Sequence, residues 1–164
     1  MNKIITITLI LILLGFIYYK FSTKKAPPIP IDKTKLEKQD GMFINLENYR
    51  GKVMIVSYFQ TWCGDCIREQ PELMQLQQTF SKEELQILMI TDESWEKINA
   101  FKAKHNSTLD FYKSEKALKS IGIHRFPTTY LLDKNGQLVE AKVEGIDWYN
   151  ETMVAEIKSL ISAN

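Results

Sequence analysis

The sequence predicts an α/β fold in which helices pack on a central sheet, and three patterns carry that expectation. The run Val53 to Phe59 is apolar on both faces, as a parallel or central strand requires. A helical pattern from about Cys63 to Phe80 and a second β-rich run, Leu85 to Thr91, follow it and set up a βαβα rhythm. Near the C-terminus the step Asn135-Gly136 separates two further β-rich segments, the mark of a hairpin.

In chain order, residues 1–25 read as an N-terminal membrane anchor, 26–37 as a Pro-rich linker and 38–164 as the folded domain. The stretch Ile4 to Tyr19 carries no charge and approaches the length needed to cross a bilayer. Its flank, Tyr18-Tyr19-Lys20-Phe21, lacks the small residues of a signal-peptide cleavage site, so an uncleaved anchor is favoured over a signal peptide. Pro27, Pro28 and Pro30 favour an extended spacer. Met42 to Leu46 suits a short strand, and Asn48 to Lys52 a turn into the buried strand. Leu73, Leu76 and Phe80 form the stripe of the following helix, with Pro71 expected to kink it. Trp95, Ile98 and Phe101 recur at helical spacing. Leu109 to Tyr112 suits a short strand or extended loop, and Ser114 to Ile121 a short helix ended by Gly122. After the strands Thr128 to Asp133 and Gln137 to Val143, a terminal helix is capped by Asn150, with Met153, Val154, Ile157, Leu160 and Ile161 on its apolar face.

Charge removes several functional classes. The first 25 residues hold four of the 21 basic residues and none of the 20 acidic ones, leaving 17 against 20, a net −3, on the rest. That balance offers no basic footprint for nucleic acid, and the chain has no Gly-rich phosphate loop and no His-Glu-x-x-His metal motif.

The two cysteines, Cys63 and Cys66, sit in Trp62-Cys63-Gly64-Asp65-Cys66, between the buried strand and the helix. Residues three apart share a helix face, so these sulfurs can close into a disulfide or open to a dithiol. If the helix starts near Cys63, that sulfur meets unpaired backbone N–H groups and the positive end of the helix dipole, which favour its thiolate. Cys66, one turn deeper, is then placed to attack a mixed disulfide at Cys63. A structural zinc site needs about four ligands, and His105 and His124 have unsuitable spacing. A staple over so short a loop would remove little chain entropy.

Trp-Cys-x-x-Cys after a buried strand, Pro71 five residues beyond the second cysteine, and Phe126-Pro127-Thr128-Thr129 before a hairpin resemble the thioredoxin superfamily, from roughly Met42 to Leu160. The anchor, a leading hairpin, the insertion before Pro127 and the phrase Phe-Pro-Thr-Thr-Tyr-Leu-Leu-Asp-Lys-Asn-Gly are most similar to the membrane-tethered TlpA/ResA-like reductases. The resemblance implies a three-layer fold with a mixed sheet between helices, Cys63 as attacking and Cys66 as resolving cysteine, and a cis bond before Pro127. Such a loop would expose the backbone of Phe126 to an extended substrate, with Trp62 as an apolar contact beside the disulfide. No cofactor or metal is implied. Electrons would come from a transmembrane donor, and the partners would be disulfide-containing exported proteins such as cytochrome c maturation components. The domain would stand on the extracytoplasmic (periplasmic) side, although Lys20, Lys24 and Lys25 after the span favour the opposite orientation.

Thioredoxin's buried active-site Asp corresponds here to Ser57, which cannot accept a proton at neutral pH. Glu69, one turn beyond Cys66, instead matches the carboxylate of ResA-like reductases, the alternative being a solvated surface Glu beside Arg68. Asp65 between the cysteines opposes thiolate formation and argues against a strong oxidant. The alternatives are a dithiol oxidase and a copper-delivery module using Cys63, Cys66 and His124.

Overall fold

The computed structural model describes residues 6–15, 26–29, 34–144 and 147–163. Strand β3 (Val53–Tyr58) is buried along its whole length, and alternation sends its side chains into two separate cores. Val53 and Ile55 enter one; Met54, Val56 and Tyr58 enter the other. Ser57 follows the parity of Val53 and Ile55, a hydroxyl on an otherwise apolar face.

Around β3 the sheet is built from β1 (Lys35–Glu37), β2 (Phe43–Asn45), β4 (Leu85–Thr91), β5 (Asp110–Ser114), β6 (Thr128–Leu132) and β7 (Leu138–Val143), in the order β2-β1-β5-β4-β3-β6-β7. Pairs β3/β4 and β4/β5 are parallel; β3/β6, β6/β7, β1/β5 and β1/β2 are antiparallel. The sheet is therefore mixed, as expected, with β1 and β2 as its leading hairpin. It begins earlier than the sequence suggests, because Lys35–Glu37, read as the end of the spacer, form β1. Leu36, their one fully buried residue, anchors it in the second core.

Helices α1 (Gly64–Thr79), α2 (Trp95–Lys104) and α3 (Glu151–Ser162) all bury residues in the first core. The second core is closed by the 3-10 turns Leu46–Tyr49 and Leu118–Ile121 and by Ala26 and Ile29. The start of the spacer thus lies on the domain: Tyr130 Oη–H donates to the Pro27 carbonyl at 2.7 Å. Only Leu118–Ile121 of the segment 114–121 is helical, since Ser114 is held in β5 by pairing with Leu36. Gly122 ends that turn at φ 86°, the left-handed conformation that favours glycine. Helix α1 runs unbroken through Pro71. The β6–β7 connection is longer than a two-residue turn, with Asp133 Oδ1 accepting from the backbone N–H groups of Asn135 (2.9 Å) and Gln137 (2.7 Å). Asn150 caps α3 as expected, Oδ1 accepting from Met153 N–H at 2.9 Å.

The span expected over Ile4 to Tyr19 lies partly outside the described residues. Residues 6–15 are helical. No helix among the described residues is long and apolar enough to cross a membrane.

Candidate active site

Strand β3 ends by delivering the turn 60–63 to the start of α1. Two acids of the β4–α2 loop hold that turn. Gln60 Nε2–H donates to Asp92 Oδ1 at 2.7 Å, and the Thr61 backbone N–H and hydroxyl donate to Glu93 Oε2 and Oε1 at 2.6 and 3.0 Å. Asp92 Oδ2 also accepts from Leu118 N–H at 2.9 Å, tying this turn to the segment leading to Pro127.

Cys63 is the N-cap of α1, with its Sγ accepting from the Cys66 backbone N–H at 3.2 Å. The sulfur therefore sits where unpaired helix N–H groups and the helix dipole stabilise negative charge. Cys63 and Cys66 form a disulfide, with Cα atoms 5.3 Å apart. Cys63 keeps 6% of its surface exposed and Cys66 none, so an incoming sulfur reaches the first before the second. Asp65 is ion-paired with Arg68, which offsets the charge that the sequence sets against the thiolate.

The peptide bond between Phe126 and Pro127 is cis. Pro127 is buried, and its carbonyl accepts from Glu144 N–H at 2.9 Å. Phe126 meets Trp62 edge to face, ring centroids 6.0 Å apart. Trp62 is 70% exposed, so it is a surface aromatic beside the redox pair and not core filling. His124 is exposed, and no group of three or more His, Cys, Asp or Glu able to hold a metal ion occurs among the described residues.

Glu69 is not a surface residue beside Arg68. It is 3% exposed, on the buried stripe of α1 that also carries Cys66, Gln70, Leu73 and Leu76. Register pairs Ser57 with Thr129 across β3 and β6, and both hydroxyls meet its carboxylate. Ser57 Oγ lies 3.1 Å from Oε2, and Thr129 Oγ1 3.0 Å from Oε1 and 3.0 Å from Ser57 Oγ. Three oxygen–oxygen contacts thus share two hydroxyl protons, and protonation of Glu69 would add a donor for the third. The indole Nε1–H of Trp148 donates to Oε1 at 2.6 Å. Burial pushes the carboxyl up to about 7; the Trp148, Thr129 and Ser57 donors restrain the rise, and the charge of Glu72 adds to it.

A sulfur pair at a helix tip, a cis-proline loop joined to it through Trp62 and Phe126, and a buried carboxyl one helical turn beyond Cys66 can exchange disulfides and hold a proton. The model of the AhpC/TSA family matches residues 24–141, well over half of the sequence. The chain belongs to the AhpC/TSA family. Among its relatives are the thiol-disulfide oxidoreductases ResA of Geobacillus thermodenitrificans, 30% identical over 145 residues (83% of this chain and 82% of the relative), and of Bacillus anthracis, 26% identical over 152 residues (85% and 87%). Solved structures agree in fold. The thioredoxin domain of a thiol-disulfide oxidoreductase from Bacteroides vulgatus superposes with a TM-score of 0.65 at 20% identity, covering 78% of this chain and 92% of that one. StoA of Bacillus subtilis does so with a TM-score of 0.58 at 17% identity, covering 77% and 93%. This AhpC/TSA member is a thiol-disulfide oxidoreductase of the ResA type with a thioredoxin-like fold.

Trp148 escaped the sequence analysis. It lies two residues before the cap of α3, outside any periodic pattern, and only the packing of that segment against α1 carries it to Glu69. Its backbone N–H also donates to Glu72 Oε2, at 2.5 Å.

Proposed function

We propose that the chain is a membrane-anchored protein-disulfide reductase working on the extracytoplasmic side. The observation that carries the chemistry is Cys63 at the cap of α1, bonded to the fully buried Cys66, with the buried Glu69 one helical turn further along the same stripe. In the reduced protein, the Cys63 thiolate attacks one sulfur of a client disulfide, and the other client sulfur leaves as thiolate. Cys66 passes its thiol proton to the Glu69 carboxylate, and its thiolate attacks Cys63 Sγ. The second client sulfur departs, two electrons have moved to the client, and Cys63–Cys66 is oxidised. Trp62 and Phe126 offer the client an apolar contact, and the loop at Pro127 an edge for its backbone. The AhpC/TSA relatives named ResA support disulfide exchange. The direction is supported by charge: Glu69, one helical turn beyond Cys66 and ionised above about 7, disfavours the thiolate whose stabilisation makes a strong oxidant.

A dithiol donor in the membrane then reduces Cys63–Cys66 and is itself oxidised to the disulfide, and exported cysteine proteins, cytochrome c maturation components among them, are the fitting clients. Membrane attachment is supported by the uncharged run Ile4 to Tyr19 and by the exposed apolar side chains Ile7, Leu9, Ile10, Leu11, Ile12, Leu13 and Leu14.

Equilibration of the full chain in detergent with a thiol redox buffer tests the direction. A potential near thioredoxin's, about −270 mV, is expected; one near that of a dithiol oxidase, about −120 mV, overturns the reductase. Topology is read separately with C-terminal fusions: an active alkaline phosphatase fusion is expected, and an inactive one paired with an active β-galactosidase fusion would place the domain inside.

A further inference from the structure

Of the groups around Glu69, two can reverse and one cannot. The hydroxyls of Ser57 and Thr129 can turn to donate to a carboxylate or to accept from a carboxylic acid, so they serve either protonation state. An indole nitrogen only donates. Trp148 is fully buried, and its N–H is spent on Oε1, the oxygen that also takes Thr129. The same residue holds Glu72 through its backbone N–H, so the two carboxylates on successive turns of α1 are tied to one residue of the segment before α3.

We propose that Trp148 is a positioning residue that keeps Glu69 exchangeable, fixing Oε1 in place and leaving Oε2 as the oxygen that takes and releases the proton. The inference rests on the role given to Glu69 above and extends it to a residue outside the cysteine motif and the proline loop. A donor that cannot reverse stabilises the carboxylate and opposes the burial that would otherwise keep Glu69 permanently neutral. The other charges near the network are few. Glu72 lies on α1 itself. Lys142 of β7 has its Nζ 5.9 Å from the Trp148 ring and is paired with Glu140 at 2.9 Å. Strands β3 and β6 contribute hydroxyls, while Met89 of β4 and Met153 and Ile157 of α3 share the core without charge.

Carbon-13 spectra of the glutamate carboxyls in the oxidised full chain in detergent, assigned with Glu69→Gln, give the protonation midpoint of Glu69. Resolution of a Cys63 mixed disulfide, followed against pH, gives the functional profile. Trp148→Phe is expected to move the midpoint upward by about one pH unit or more, and the neutral inflexion of the profile with it. If Glu69→Gln abolishes that inflexion but Trp148→Phe leaves the midpoint in place, the role of Trp148 falls and that of Glu69 stands. If Glu69→Gln leaves the inflexion intact, the role of Glu69 falls and takes this one with it. Should Trp148→Phe fail to fold, the unaltered protein decides: the Trp148 indole N–H resonance must shift with the same midpoint as the Glu69 carboxyl, and a flat response overturns the proposal.

Discussion

Cys66→Ala is expected to stop turnover and to leave clients covalently attached to Cys63. Attack by Cys66 on the mixed disulfide is intramolecular, and well-oriented groups of this kind reach effective molarities of about 10⁵ M or more. Millimolar external thiol replaces that nucleophile poorly, so turnover should fall by orders of magnitude while first attack survives. The asymmetry behind the expectation is structural: Cys63 caps α1 and is the more exposed residue, while Cys66 is fully enclosed. Non-reducing electrophoresis of cells expressing the variant should show adducts that vanish with dithiothreitol and are missing from the Cys63→Ser, Cys66→Ala double variant. Absence of adducts from Cys66→Ala, or their persistence without Cys63, would reverse the assigned roles.

The second large effect concerns pH. Glu69 in the folded oxidised protein holds its proton up to about 7, whereas its ordinary value is 4.5, so burial raises the folded-state affinity. Between these values the folded chain carries a proton that the unfolded chain has released. Stability is then fully present below 4.5 and declines as pH rises through about 7. The difference converts to roughly 3 kcal/mol. Glu69→Gln keeps the shape and a neutral group, so denaturant midpoints of the oxidised variant should change less across this window than those of the unaltered protein. Parallel curves for the two proteins would show that Glu69 does not titrate there. The same substitution should slow resolution of the mixed disulfide above neutral pH, where the carboxylate is the proton acceptor for Cys66.

Much of the site was legible because it is local. Cys63 and Cys66 lie three residues apart next to an apolar strand, and both the cap and the bond follow from that spacing. Phe126-Pro127 before a hairpin pointed to the cis loop through family resemblance, and Asn150 announced α3. Less legible was the leading hairpin: β1 is three residues long and gains its place by pairing with β2 and β5, which composition around Pro30 conceals. The ion pair of Asp65 with Arg68 was likewise not read from the sequence.

What the sequence alone determined is the redox pair, the order of strands and helices around it and the position of the helix tip, because caps, periodicity and Cys-x-x-Cys spacing act over a few residues. Tertiary structure alone decided the state of Glu69. Ser57, Thr129 and Trp148 come from three separate segments, and only their convergence excludes water and supplies donors. A carboxyl's proton affinity depends on the solvent removed and the dipoles left around it, and both are properties of packing.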